Sequence, residues 1–122
     1  MKILNKGHIY SLEVYDKQEN ETQIVYFMQR VGTKYPGNIA AFAGTNLQEV
    51  IRMCIDRFKY LDNQVHSIYN SICIWLLRFV ILFLEKRAAK RHRLKLKVKV
   101  KNIEHLPTCK ICGHIICGDN FL

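Results

Sequence analysis

The stretch from Lys86 to Lys101 contains no acidic residue, yet it holds nine of the chain's 19 Lys and Arg residues. Elsewhere bases and acids balance, so the net charge of +9 resides in this stretch. Positive charge without acidic partners attracts phosphates, nucleic acid or an acidic lipid surface. The plainer alternative is a solvated basic edge that maintains solubility. The run also lacks Phe, Tyr and Trp, so it offers no platform on which bases could stack.

Proline is scarce, with only Pro36 and Pro107, both outside the periodic segments. The composition carries no disorder signature, and 122 residues suit one domain with a real core. The five cysteines are an odd number, and Cys54 and Cys73 fall in apolar helical segments. A disulfide framework is therefore not expected, and the chain reads as cytosolic and reducing. The first residues lack the apolar core of a signal peptide. Neither GKS/GKT nor GxGxxG occurs. No acidic pair lies at catalytic spacing, and no Ser or Cys sits in a nucleophile motif. These absences point to a binding protein, not an enzyme.

Residues 8–15 alternate, and residues 22–31 are β-branched and aromatic, which predicts a β-hairpin. Residues 32–44 hold three of the six glycines and form a loop, with a short strand over Asn38–Phe42. Thr45, with Gln48 three residues on, predicts a capping box opening a helix to about Leu61. A second helix is predicted from about His66 to Arg93. Its apolar centre, Ile72–Leu84, spans roughly 20 Å, less than the roughly 30 Å of bilayer hydrocarbon, and contains Arg78. Ser71, Arg78, Glu85 and His92 lie seven apart and predict one polar stripe on an otherwise buried helix. This favours a core helix at an oligomer interface over a membrane anchor.

Residues 94–101 (LKLKVKVK) alternate strictly and predict a basic strand. The fold class expected is α+β: an antiparallel sheet, made of the N-terminal hairpin plus the C-terminal basic strand, covered by two helices, the second long. Residues 1–104 would form the ligand-binding domain and 105–122 a short Cys-rich tail.

Three constellations could carry function. The loop-to-helix junction (Pro36, Gly37, Asn38, Gly44, Thr45, Asn46, Gln48, Glu49) offers helix N–H groups to an anion, and Gly44 would let a ligand approach the backbone; on spacing alone an ordinary capped turn is the favoured explanation. Arg87 and Arg91 share a helix face and could grip a diphosphate, although cations also suit any helix C-terminus. Cys109-x₂-Cys112-Gly113 has the shape of half a zinc knuckle, which Cys117, His114 or His105 could complete. The alternative is a tail of free thiols.

The segments NKGHIYSLEVYD, QRVGTKYPGN, AGTNLQEVIRMCIDRFKYLDNQ and LEKRAAKRH resemble the first-described family of phage anti-Thoeris sponge proteins, over about residues 5–93. The resemblance implies a small α+β protein in the host bacterial cytoplasm, assembled as dimers or hexamers. It implies sequestration, without cleavage, of the cyclic ADP-ribose isomer made by Thoeris TIR proteins. In some members it extends to the cyclic oligonucleotides of CBASS at a separate site. No cofactor is required. Arg30, Asn38, Phe42, Thr45, Arg52, Arg87 and Arg91 are the positions able to supply guanidiniums, backbone groups, an aromatic face and amides to such a ligand. The competing expectation is a small basic nucleic-acid-binding regulator with a partial zinc knuckle.

Overall fold

A computed structural model describes residues 1–16, 21–31, 39–110 and 112–115. The class is α+β: antiparallel strands followed by two helices, the second longer. Two compact units divide the chain, Met1–Leu47 and Gln48–Leu122.

In the first unit, β1 (Lys2–Asn5), β2 (Ile9–Glu13) and β3 (Thr22–Tyr26) form an antiparallel sheet in that order. The predicted hairpin is β2–β3, with Tyr10 opposite Val25 and Leu12 opposite Gln23. The Tyr10 and Phe27 ring centres lie 5.7 Å apart, with the rings nearly perpendicular. A second, two-stranded sheet pairs β4 (Gln29–Val31) with β5 (Ile39–Phe42).

Thr45 does not cap a helix. Its N–H donates to the Tyr26 carbonyl at 2.8 Å, and its carbonyl accepts from Met28 N–H at 2.9 Å. Both backbone groups are thus committed to a parallel bridge beside Phe27, and the helix starts two residues later. Gly44 is small for the same reason. A Cβ there would lie 2.5 Å from the Phe27 carbonyl carbon and 2.6 Å from the Met28 nitrogen. The backbone that approaches Gly44 is the chain's own, not a ligand's.

The second unit holds α1 (Leu47–Gln64) and α2 (Ile68–Arg91). Asp62 organises the turn between them. Its Oδ1 accepts from Ser67 N–H at 2.9 Å and from Asn70 Nδ2 at 3.3 Å, and His66 Nδ1 lies 3.1 Å from Oδ2. The Ser67 hydroxyl caps α2 by accepting from Tyr69 N–H. The hydrogen bonds from Ser67 and His66 hold the Asp62 carboxyl below its ordinary range.

Residues 94–101 form no ladder among the described residues, which corrects the expected C-terminal strand. The alternation is real but satisfied differently. Leu96, Val98 and Val100 pack against the core of Ile55, Ile81, Leu82 and Ile103, while Lys95, Lys97, Lys99 and Lys101 stay exposed. Period-two burial needs only one apolar surface beneath an extended chain, and here helices supply it. The segment runs back along α2: Leu94 N–H bonds to Ala89 O, Leu96 packs on Ala88 and Ala89, and Glu104 reaches Arg78.

The polar stripe on α2 is inverted relative to expectation. Glu85 is 0% exposed and Arg78 is buried, whereas Ile72, Leu76, Phe79 and Phe83 are exposed. The stripe is buried because each charge finds partners beneath it. Ile103, Cys109 and Ile115 are buried in the second unit.

Candidate functional site

Two polar networks and one basic groove occupy the second unit. The first network centres on Glu104, which lies in a single-turn helix, η1 (Ile103–His105). Arg78 donates from Nη2 to Oε1 at 2.8 Å and from Nε to Oε2 at 3.0 Å. Lys59 Nζ donates to Oε1 at 3.0 Å and stands 3.1 Å from His105 Nε2. The Arg78 guanidinium also lies 4.9 Å from the Trp75 ring centre, a cation–π distance. Burial pushes the Glu104 carboxyl up, but the hydrogen bonds from Arg78, from the backbone and from Lys59 outweigh it and hold it at about 2. The spacing of Arg78 was legible, but its partner 26 residues away was not.

The second network docks the C-terminal residues. Glu85 Oε2 accepts from Ile115 N–H at 3.0 Å, and Gln48 Nε2 donates to Oε1 at 3.4 Å. The His114 Nδ1 atom lies 3.1 Å from Gln48 Nε2 and 3.5 Å from Glu85 Oε2. Gln48 therefore serves the docking of residues 114–115 and not a capping box. The Cys109–His114 turn closes through Cys109 N–H to His114 O at 2.9 Å and Gly113 N–H to Cys109 O at 2.8 Å. Gly113 takes φ +73°, a left-handed conformation that favours glycine.

Cys109 and Cys112 form no disulfide, but no three metal-ligating side chains gather among the described residues. Of the expected zinc ligands, His114 is turned to Glu85 and Gln48, and Cys117 lies outside the described residues.

The basic groove lies where α2 ends and the chain turns back. Lys86 and Lys90 come from α2, and Lys95 and Lys97 from the returning segment, with Leu94 and Leu96 as its apolar floor. It is a shallow, open groove of about 520 Å³, and no acid lines it. Arg93 takes φ +58°, which reverses the chain there and sets the two lysine pairs side by side.

The other expected ligand residues are dispersed. Asn38 lies outside the described residues, as does the side chain of Arg30, whose backbone pairs with Ala40. Phe42 is 64% exposed in the first unit, and Thr45 is fixed in its bridge. Arg87 and Arg91 are exposed near the end of α2. Arg52 is half-buried and lines a different cavity, with Lys59 and Glu104, in which neither Arg87 nor Arg91 takes part. Whereas Lys90 belonged to the expected basic end of the helix, Lys95 and Lys97 were expected on a strand face. Only the reversal at Arg93 brings them against Lys86 and Lys90.

No protein-family model, curated protein or solved structure matches this chain.

Proposed function

We propose that the protein binds a phosphate-bearing nucleotide signal and holds it without chemistry. The observation that carries this reading is the groove of Lys86, Lys90, Lys95 and Lys97 over Leu94 and Leu96, without an opposing carboxylate. Four ammonium groups suit phosphate charge, and the leucines suit the apolar face of a base or sugar. Together with the resemblance in residues 5–93, this favours a sponge for a cyclic ADP-ribose isomer acting in the host cytoplasm.

A second copy of the chain fits the same reading. Ile72, Leu76, Phe79 and Phe83 form one exposed apolar face on α2. The helix is long and apolar enough to cross a membrane by length and composition. Crossing would carry the Arg78–Glu104 pair and the exposed Lys95, Lys97 and Lys99 of the returning segment into hydrocarbon, at high cost. A protein partner for that face is the cheaper solution.

The exposed lysine row of residues 95–101 favours a second reading, nucleic-acid backbone binding. The two separate by salt dependence and variants. Titration of the Lys86→Glu/Lys90→Glu variant with the isomer should show at least about a hundredfold loss of affinity, some 3 kcal/mol. Wild-type affinity in that variant, or a steep salt-dependent shift of DNA with no isomer binding, would sink the sponge reading.

A further inference from the structure

The exposed apolar residues of α2 are not scattered. Tyr69, Ile72, Leu76, Phe79 and Phe83 follow one another at alternating steps of three and four, and each is between 42% and 75% exposed. Such steps repeat every seven residues and trace the narrow seam along which one helix packs on another, at a crossing angle of about 20°. The opposite side of α2 is already used: Ile81, Leu82, Glu85, Ala88 and Ala89 are buried in the second unit. The seam stops at Lys86, the next position in the series, which is exposed and lines the basic groove. Thus α2 carries a helix-pairing surface on the side that the described residues leave bare.

We infer that α2 of a second copy occupies this seam and runs antiparallel, so that the second copy's Tyr69 faces Phe83 and the two Leu76 residues meet at the centre. The face is large enough. A fully buried aromatic side chain removes about 150–250 Å² from water, so the open parts of Tyr69, Trp75, Phe79 and Phe83 offer on the order of 400 Å², half of the about 800 Å² that each partner gives a standard interface. The exposed Ile72, Leu76 and Val80 add to it. Charge sets the direction. All nine bases of residues 86–101 lie past one end of the seam, with no acid among them. A parallel pair would hold these blocks side by side on axes about 8–10 Å apart, within roughly one screening length. An antiparallel pair centred on Leu76 holds the two Lys86 residues about 30 Å apart along the axis, several screening lengths of about 8 Å. Each lysine groove then belongs to one chain, and the pair carries two grooves at opposite ends instead of one shared site. The inference deepens the second-copy reading and rests on it, whatever ligand the groove takes.

The test is photocrosslinking of the full chain with Phe83 replaced by p-benzoylphenylalanine, which keeps an aromatic ring at an exposed position. The two-chain product is isolated on a denaturing gel, cut with trypsin and mapped by mass spectrometry, while an unirradiated sample is run by sedimentation equilibrium. Trypsin separates Tyr69 and Phe83, because it cuts after Arg78. The inference expects position 83 to join the second copy's peptide 60–78 at or beside Tyr69, and a probe at Tyr69 to join peptide 79–86 in return. Leu76→Glu should lower the two-chain yield at least about tenfold with the helical signal intact. A two-chain product joined from position 83 to the second copy's own 79–86 peptide would overturn the antiparallel arrangement and leave the second copy in place. A monomer in sedimentation with no two-chain product would overturn the inference together with the second-copy reading. Flotation of that monomer with phosphatidylserine vesicles would give the face to a lipid surface.

Discussion

Arg78 and Glu104 meet side-on inside the second unit, joining α2 to the single-turn helix with both carboxylate oxygens engaged. Both groups are buried, and Lys59 adds a third charge at 3.0 Å. Such a pair need not stabilise more than well-packed apolar residues would, but removing one partner leaves a buried charge uncompensated. Glu104→Gln or Arg78→Met should each lower the unfolding free energy by about 3–5 kcal/mol. Urea denaturation with an unchanged slope would register it. A double Arg78→Met/Glu104→Leu variant should recover part of that loss.

Acid should act on the same pair. Glu104 is held at about 2, against an ordinary 4.5, so the folded chain binds that proton less readily than the unfolded one. Its contribution is therefore complete above pH 4.5 and is lost as pH falls toward 2. The size is about 3 kcal/mol from a shift of this order. Asp62 is lowered too and works in the same direction. Thermal melts between pH 5 and pH 2 should fall steeply, and Glu104→Gln should flatten that dependence. A wild-type profile as flat as the variant's would contradict the assignment.

Gly44 sits where the chain of the first unit passes Phe27 and Met28 at less than van der Waals distance for a Cβ. Backbone cannot swing aside as a side-chain tip can. Gly44→Ala should therefore destabilise the first unit by about 1–3 kcal/mol, the range of overpacked sites. Amide exchange of β2 and β3 would report it locally. Unchanged protection there would mean that the strands adjust freely.

The bare face of α2 should drive self-association. Phe83 is 63% exposed and Leu76 is 60% exposed, on one side of the helix. Sedimentation equilibrium should find an assembly larger than one chain, which Leu76→Glu/Phe83→Glu returns to monomer with the helical signal intact. A wild-type monomer at high concentration would remove the second copy from the account.

Both helices were legible because apolar residues recur at helical spacing, although α1 runs through Asp62-Asn63 to Gln64 instead of ending near Leu61. The β2–β3 hairpin was legible from alternation. Alternation misled at residues 94–101, because burial every second residue reports one covered face and not a hydrogen-bonded neighbour. The stripe through Arg78 and Glu85 was visible, but which side of α2 faced the core was not. That depends on Glu104 and Ile115, partners fixed only when the chain doubles back after Arg93. The buried, unpartnered Nε and Nη2 of Arg52 have no signature in sequence, since an unpartnered donor is a property of packing.

The central claim is capture without chemistry. It is tested most directly by calorimetric titration of the full chain with TIR-derived cyclic ADP-ribose isomers, followed by heat denaturation and chromatography of the released ligand. The account predicts tight one-site binding per chain or per shared site, and recovery of the isomer intact. A changed product would show an enzyme. No heat of binding for any isomer would contradict the sponge reading and leave the groove of Lys86, Lys90, Lys95 and Lys97 to nucleic acid.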